Sequence, residues 1–157
     1  MTGNDRPLLT LQTMDSVGTD YSSCPSQIPE QEWKTTLVIQ SSIDRLWILN
    51  ETCTRWKDPI VAVAFVPSDM TPGQRNTWES FSAVTCPHLQ LIQYNGTAEE
   101  SKLDHYPVNR LRNIGLDAVN TSHIMVADVD FVPSKDLDET IRVSLKQLHS
   151  YAPGEAE

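Results

Sequence analysis

The sequence predicts an α/β protein: a mostly parallel sheet with helices on both faces. Three observations predict it. Four largely apolar runs stand at 35–40, 60–66, 89–94 and 123–131, continuous rather than alternating, as in strands buried on both faces. Amphipathic segments with helical spacing lie between them. Proline or turn residues close the runs. At 157 residues the chain makes one domain or part of a larger one.

The elements follow in order. Residues 1–33 are rich in Gly, Ser, Thr, Asp and Pro, lack a sustained apolar period, and are expected to form a disordered arm or linker, with room for a short helix in 8–14. The ordered domain is expected over 34–151, followed by a tail at 152–157. TTLVIQ at 35–40 reads as a buried strand. Ser41 or Ser42 can cap a helix over 43–56, whose inner stripe is Leu46, Leu49, Cys53 and Trp56. Pro59 breaks it, and IVAVAFV at 60–66 is the second strand, stopped by Pro67. Thr71 and Pro72 open a helix reaching about residue 84, since proline suits the first helical position. The third strand, 89–94, ends at Asn95 and Gly96, a turn pair. A polar loop at 97–105 leads to a helix over 106–119. The fourth strand, 123–131, is stopped by Pro133. Ser134 then caps an amphipathic helix over 137–148 with Leu137, Ile141, Leu145 and Leu148 on one stripe. These apolar stripes and the sheet edge call for a covering partner segment.

Twenty-one acids against twelve bases give a net charge of −9. That balance argues against nucleic acid or an anionic membrane surface as partner. The acids are spread along the chain, so charge mainly implies solubility. No apolar run approaches the length of a membrane span, and the first eleven residues lack the features of a signal peptide. Cys24, Cys53 and Cys86 are compatible with one disulfide and a free thiol, or with three free thiols. Sequons at Asn50, Asn95 and Asn120 point weakly to secretory passage; Asn50 falls within a predicted helix, and Asn95 and Asn120 at turns are the better acceptors.

Open parallel sheets bind ligands outside the carboxyl ends of their strands. That rule directs attention to Ser41 and Ser42, residues 67–69, residues 94–95 and above all 128–130. Strand residues two apart share a face, so Asp128 and Asp130 should project together, about 6–7 Å apart. Two carboxylates after an apolar run are costly without a cation. Hard divalent ions such as Mg²⁺ or Mn²⁺ take oxygen ligands and share their shell with phosphates. The alternative is two solvated acids past the strand, or caps of the next helix. On the helix 106–119, Val108, Leu111, Ile114, Gly115, Ala118 and Val119 form the sheet-facing side, with Gly115 permitting close approach. Tyr106, Asn109, Arg112 and Asn113 gather opposite. Two poor helix formers beside a fixed cation suit a base, ribose or diphosphate. Asparagine–backbone bonding at a loop contact explains them equally well.

Together, YPVNRLRNIG at 106–115 and HIMVADVDFVP at 123–133 resemble the core of a glycosyltransferase. The resemblance is to the LARGE-type family, glycosyltransferase family 49, which includes the β-1,4-glucuronyltransferase of dystroglycan glycan synthesis. TTLVIQSSIDRLWIL at 35–49 and WKDPIVAVAFV at 56–66 are similar to the same family, so four segments match in order over about 35–150. A more distant similarity links the helix and D-x-D unit to β-1,4-galactosyltransferases. The resemblance implies a GT-A-like, Rossmann-like fold, a UDP-sugar donor, Mn²⁺ (or Mg²⁺), a glycan or glycoprotein acceptor, and inverting glucuronyl transfer in the Golgi lumen by a type II membrane protein. It makes Asp128 and Asp130 the metal-binding D-x-D, with Asp128 also on the nucleotide, and puts Gln40 and Ser41 near the nucleotide. Asn109, Arg112 and Asn113 match its helix motif, and the wheel suggests a donor-side role. The chain is expected to be a fragment, the N-terminal nucleotide-binding half only. The acceptor site, a further metal ligand and the catalytic base would lie in a missing C-terminal half. No catalytic residue is assigned; Asp104 and His105 are candidates by elimination. The alternative is a non-catalytic GT-A-like domain retaining at most nucleotide binding, and a third reading is a metal-dependent phosphotransferase using Asp128.

Overall fold

The computed structural model describes residues 33–82, 86–102 and 105–151. Residues 1–32 of the arm expected over 1–33, with Cys24, and also Asp104 and the tail at 152–157 lie outside the described residues. The elements run β1 (Thr35–Ser42), a 3₁₀ turn (Ile43–Arg45), α1 (Ile48–Arg55), β2 (Ile60–Pro67), α2 (Pro72–Ser82), β3 (Leu89–Gly96), α3 (Val108–Asp117), β4 (His123–Asp128) and α4 (Leu137–Tyr151). The four strands form one parallel sheet in the order β3-β2-β1-β4. This is a partial α/β, Rossmann-like parallel sheet, as the apolar runs predict, and it is consistent with the GT-A-like fold that the resemblance implies.

The two faces are covered unequally. Leu37 and Ile39 of β1, Ala62 and Ala64 of β2, and Trp56 and Leu49 of α1 belong to one core, against which Trp78 of α2 and Leu137 and Ile141 of α4 pack. On the other face, among the described residues, α3 packs with Leu111 against Val63 and Phe65, joined by Tyr106 just before the helix. Gly115 is the reason α3 comes so close: a Cβ there would sit 2.6 Å from Val38 Cγ1 and 3.3 Å from Val63 Cγ2. In register with Val38 is Val126 of β4. Cross-strand partners share a face, yet Val126 and its neighbour Ile124 stay about half exposed, because α3 lies over β1 and β2. The expected uncovered apolar surface is therefore found on β4. The stripe of α4 is shorter than expected: Leu148, near its end, is exposed.

Among the places where the chain departs from expectation, three have a visible cause in the local contacts. The helix expected over 43–56 is split, because Ile43 and Leu46 are both buried and the chain leaves β1 through a tight turn closed by Leu46 N–H to the Ile43 carbonyl at 3.3 Å. Ser42 stands at the cap position of that turn but makes no side-chain cap bond. Asn95 and Gly96 are not a turn. They extend β3, in register with Val66 and Pro67, and a Cβ on Gly96 would sit 2.2 Å from the Phe65 ring. Before α4, Asp136 takes a positive φ of 62°, and the Ser134 carbonyl, not its hydroxyl, accepts from Leu137 N–H at 3.3 Å.

Trp33, placed in the expected arm, makes contacts with β4 and α4. The Trp33 ring stands edge-on to His123 and His149, and its carbonyl accepts from Arg142 Nε at 3.3 Å. Arg142 of α4 also donates to buried Asp58, whose second oxygen accepts from Thr35 N–H at 3.0 Å. A buried carboxylate needs such partners, and here they tie α4 to the start of β1. Cys53 and Cys86 form a disulfide with Cα atoms 6.2 Å apart, an ordinary separation. It links α1 to the segment entering β3 and decides between the alternatives the cysteine count leaves open. No described helix is long and apolar enough to cross a membrane.

Candidate functional site

In this strand order, β1 runs between β2 on one side and β4 on the other, so the connections diverge at the β1/β4 junction. The crevice beyond the carboxyl ends of such a strand pair is where open α/β sheets bind ligands. Gln40 of β1 and Asp128 of β4 are register partners there.

A polar cluster forms around them. Gln40 Nε2 donates to Asp128 Oδ1 at 3.3 Å, and Arg112 Nη2 of α3 donates to the same oxygen at 2.6 Å. The Tyr106 hydroxyl donates to Gln40 Oε1 at 3.1 Å. Burial, helped by the nearby negative charge of Asp44, pushes the Tyr106 hydroxyl up to about 12, while Arg45 opposes that shift. The phenol therefore stays a donor, which leaves the Gln40 amide nitrogen to face Asp128. Helical spacing groups Tyr106 only with the polar side of α3; its place two residues before that helix is the sequence signal for a part in the site.

Asp128 and Asp130 do not project from one strand as expected. β4 ends at Asp128, Val129 turns into the core, and Phe131 N–H closes a turn on the Asp128 carbonyl at 2.9 Å. Both carboxylates remain open to solvent, with side chains 60% and 61% exposed. Each has its own arginine: Arg112 for Asp128, and Arg45 Nη1 for Asp130 at 2.6 Å. Arg45 was not singled out from the sequence, because an arginine opening a predicted helix looks like an ordinary solvated residue.

The Arg112 hydrogen bond, followed by that of Gln40, holds the Asp128 carboxyl below the usual carboxylate range. A carboxyl lowered in this way contributes above its ordinary pKa and loses the contribution as pH falls through the lowered value. Arg112→Gln should bring Asp128 back up toward the ordinary range, read from its carboxyl carbon in an NMR titration. An unchanged titration would contradict the assigned cause.

The remaining expected residues divide. Asn109 and Asn113 lie exposed on α3, flanking Arg112 in sequence. Ser41 is buried on the opposite face from Gln40, where its hydroxyl donates to the Ser42 carbonyl at 2.9 Å, so the structure does not bring it into the cluster. His105 is exposed, with Nδ1 3.7 Å from Glu99. A cleft of about 380 Å³ between α1 and α2, lined by Trp47, Asn76 and Phe81 among others, holds none of the charged groups of the crevice.

Two exposed carboxylates at a sheet edge are a donor set that a hard divalent cation accepts. Among the described residues no third carboxylate or histidine is grouped with them as a ligand. A cation there would complete its shell from water and from a ligand's oxygens. The one such group, Cys53, Cys86 and His88, has its sulfurs joined in the disulfide. Arg112 Nε is buried with no acceptor. An unsatisfied buried donor is costly; the rest of the guanidinium is paired with Asp128.

Comparison with known proteins adds a second line. The family model described as glycosyl-transferase for dystroglycan matches residues 71–156. The chain is 35% identical over 113 residues to the xylosyl- and glucuronyltransferase LARGE1 of Gallus gallus, covering 72% of this chain and 14% of that protein. It is 33% identical over 120 residues to the xylosyl- and glucuronyltransferase LARGE2 of Homo sapiens, covering 76% and 16%. It is 30% identical over 112 residues to the glycosyltransferase-like protein gnt14 of Dictyostelium discoideum, covering 70% and 16%. The matched stretch is thus about a sixth or less of the length of these relatives.

Proposed function

Because the chain belongs to the family of glycosyl-transferases for dystroglycan, we propose that it forms the donor-binding half of a glycosyltransferase that holds a UDP-sugar with a divalent metal. Transfer would go to a glycan or glycoprotein acceptor, glucuronyl in type and inverting, in the Golgi lumen. The Cys53–Cys86 disulfide supports passage through an oxidising compartment. The named activities of the relatives, xylosyl and glucuronyl transfer, support the class of donor.

The observation that carries this reading is the convergence of Gln40, Arg112 and Asp128 at the junction of β1 and β4. Asp128 and Asp130 would hold Mn²⁺ (or Mg²⁺). Such an ion supplies positive charge against the departing diphosphate. The chain's own residues do the rest of the binding. Arg112 offers a fixed cation and an unsatisfied Nε donor to an anionic ligand. Tyr106 orients Gln40, which orients the Asp128 carboxylate. Asn109 and Asn113 present amides on the same helix for ribose or base. No residue of this chain is assigned as the base that takes the acceptor's proton.

A non-catalytic nucleotide-binding domain is the second reading. It is favoured by the same ligand count, since no third metal ligand joins the two acids among the described residues.

Calorimetric titration of the full chain with UDP and Mn²⁺, beside an Asp128→Ala/Asp130→Ala variant, tests the donor site. Metal-dependent binding should weaken by about tenfold to a hundredfold or more in the variant, since losing even a partner that only supports a metal ligand costs that much. A folded chain that binds no UDP with Mn²⁺ present would sink the reading.

A further inference from the structure

We propose that Arg45 and Arg112 are the internal counter-ions of this site: a divalent cation must displace both guanidiniums from Asp128 and Asp130, and the released arginines then turn to the diphosphate. The second step rests on the donor-site reading above; the first stands without it.

Two carboxylates two residues apart at an open sheet edge repel one another. Here each is neutralised by a separate arginine at 2.6 Å, drawn from a different element: Arg45 from the turn after β1, Arg112 from α3. One oxygen of each carboxylate is therefore already in use. Arg112 donates to Asp128 Oδ1, which also accepts from Gln40, and Arg45 donates to Asp130 Oδ2. A cation close enough to coordinate these oxygens would face both guanidiniums at short range, where like charges repel.

The exchange is easy on the arginines' side. Their side chains are 51% and 36% exposed, and exposed ion pairs are weak, so rotation out of the pair is a small step. It also leaves the charges better used. Two carboxylates and one divalent cation sum to zero, which leaves nothing to neutralise a bound diphosphate. Two freed guanidiniums supply that charge in the fork geometry that phosphate oxygens accept. The buried Nε of Arg112, without an acceptor in the paired state, is an independent sign that this side chain has a second arrangement in which it is satisfied.

The proposal predicts effects of opposite sign, which a simple ligand or a simple structural role does not. Mn²⁺ alone is titrated into the full chain, with free Mn²⁺ read by its electron paramagnetic resonance signal. Arg45→Gln and Arg112→Gln should each tighten Mn²⁺ binding roughly three- to fivefold, the scale of an exposed ion pair. The double variant should tighten it roughly tenfold or more, since the two pairs share no partner. UDP affinity at saturating Mn²⁺ should instead fall at least about tenfold in the double variant. Arg45→Lys restores the charge and should return Mn²⁺ affinity toward that of the unaltered chain, with unchanged circular dichroism confirming that the variants fold. Mn²⁺ affinity that is unchanged or weaker in the glutamine variants, or Mn²⁺ bound by none of the proteins, overturns the exchange. Unchanged UDP affinity in the double variant overturns the arginines' second role. Failure of the donor-site reading looks different: the unaltered chain itself binds no UDP while Mn²⁺ still tightens in the variants.

Discussion

Replacing Trp56 with alanine should destabilise the protein by about 3–5 kcal/mol, the range for removing a large aromatic side chain from a core. The residue is fully buried and closes α1: its backbone N–H donates to the Thr52 carbonyl at 2.9 Å, and its ring Nε1 donates to the Pro59 carbonyl at 3.3 Å. It packs in the core shared by Leu37, Ile39, Leu49 and Ile60, where β1, β2 and α1 meet. The neighbours are strand residues held by a ladder, so they cannot collapse far into the space left behind. Trp56→Phe keeps most of the apolar volume but leaves the Pro59 carbonyl one donor short, and should cost less, about 1–3 kcal/mol. Urea unfolding followed by circular dichroism measures both. A loss below about 1 kcal/mol for the alanine variant would mean that the α1 side of the core is not the main one. Domains of this size are stable by only about 5–15 kcal/mol, so the alanine change removes a large part of the total.

Removing the Cys53–Cys86 link should cost a similar amount. The cysteines are 33 positions apart, and closing a loop of that length restricts the unfolded chain by about 4 kcal/mol in the chain-entropy account. The link spans the whole of β2 and α2, so cutting it frees the segment that carries the return from α2 to β3. A Cys53→Ala/Cys86→Ala variant should unfold at a markedly lower urea concentration than the oxidised protein. The reduced protein should resemble the variant. A non-reducing peptide map that places Cys24 in the link instead would overturn the pairing. Equal stability of oxidised protein and variant would show that the unfolded chain is already restricted in that region.

The functional and the structural predictions rest on different parts of the molecule. Trp56 and the disulfide lie on the face covered by α1, α2 and α4, whereas Gln40 and Arg112 belong to the face covered by α3. Changes on the first face should move stability, and changes at the crevice should move ligand binding. That separation makes the crevice suited to substitution: Asp128, Asp130, Arg45 and Arg112 are exposed or half-exposed, and surface substitutions of this kind usually disturb stability little.

The comparison of sequence with structure is instructive at particular residues. The runs at 35–40 and 60–66 read as buried strands because a parallel strand covered on both faces is apolar at every position. The structure keeps both and lengthens each to eight residues. Gly115 was read as a point of close approach, and the absence of a side chain is a signal that survives without coordinates. Asn95 and Gly96 misled, since turn preference is a local quantity and pairing with Val66 and Pro67 overrides it. The resemblance puts Ser41 beside Gln40 near the nucleotide; the alternation of β1 turns its side chain to the face away from Gln40.

The sequence by itself determined the class of fold, the order of elements, the parallel strands and the location of an acidic pair at a strand end. All of these are set by local composition: apolar runs, helical spacing, prolines and the two aspartates. Only the tertiary structure decided what each charged group pairs with. Arg45 meets Asp130 across 85 positions of chain, Arg112 meets Asp128 across 16, and Cys53 finds Cys86 across 33. Such meetings depend on which strands lie side by side and on how closely α3 sits on the sheet, and no local preference encodes either. The physical reason is that strand order and helix docking are fixed by burial summed over the whole chain, while the charges at the crevice take whichever partners that packing delivers.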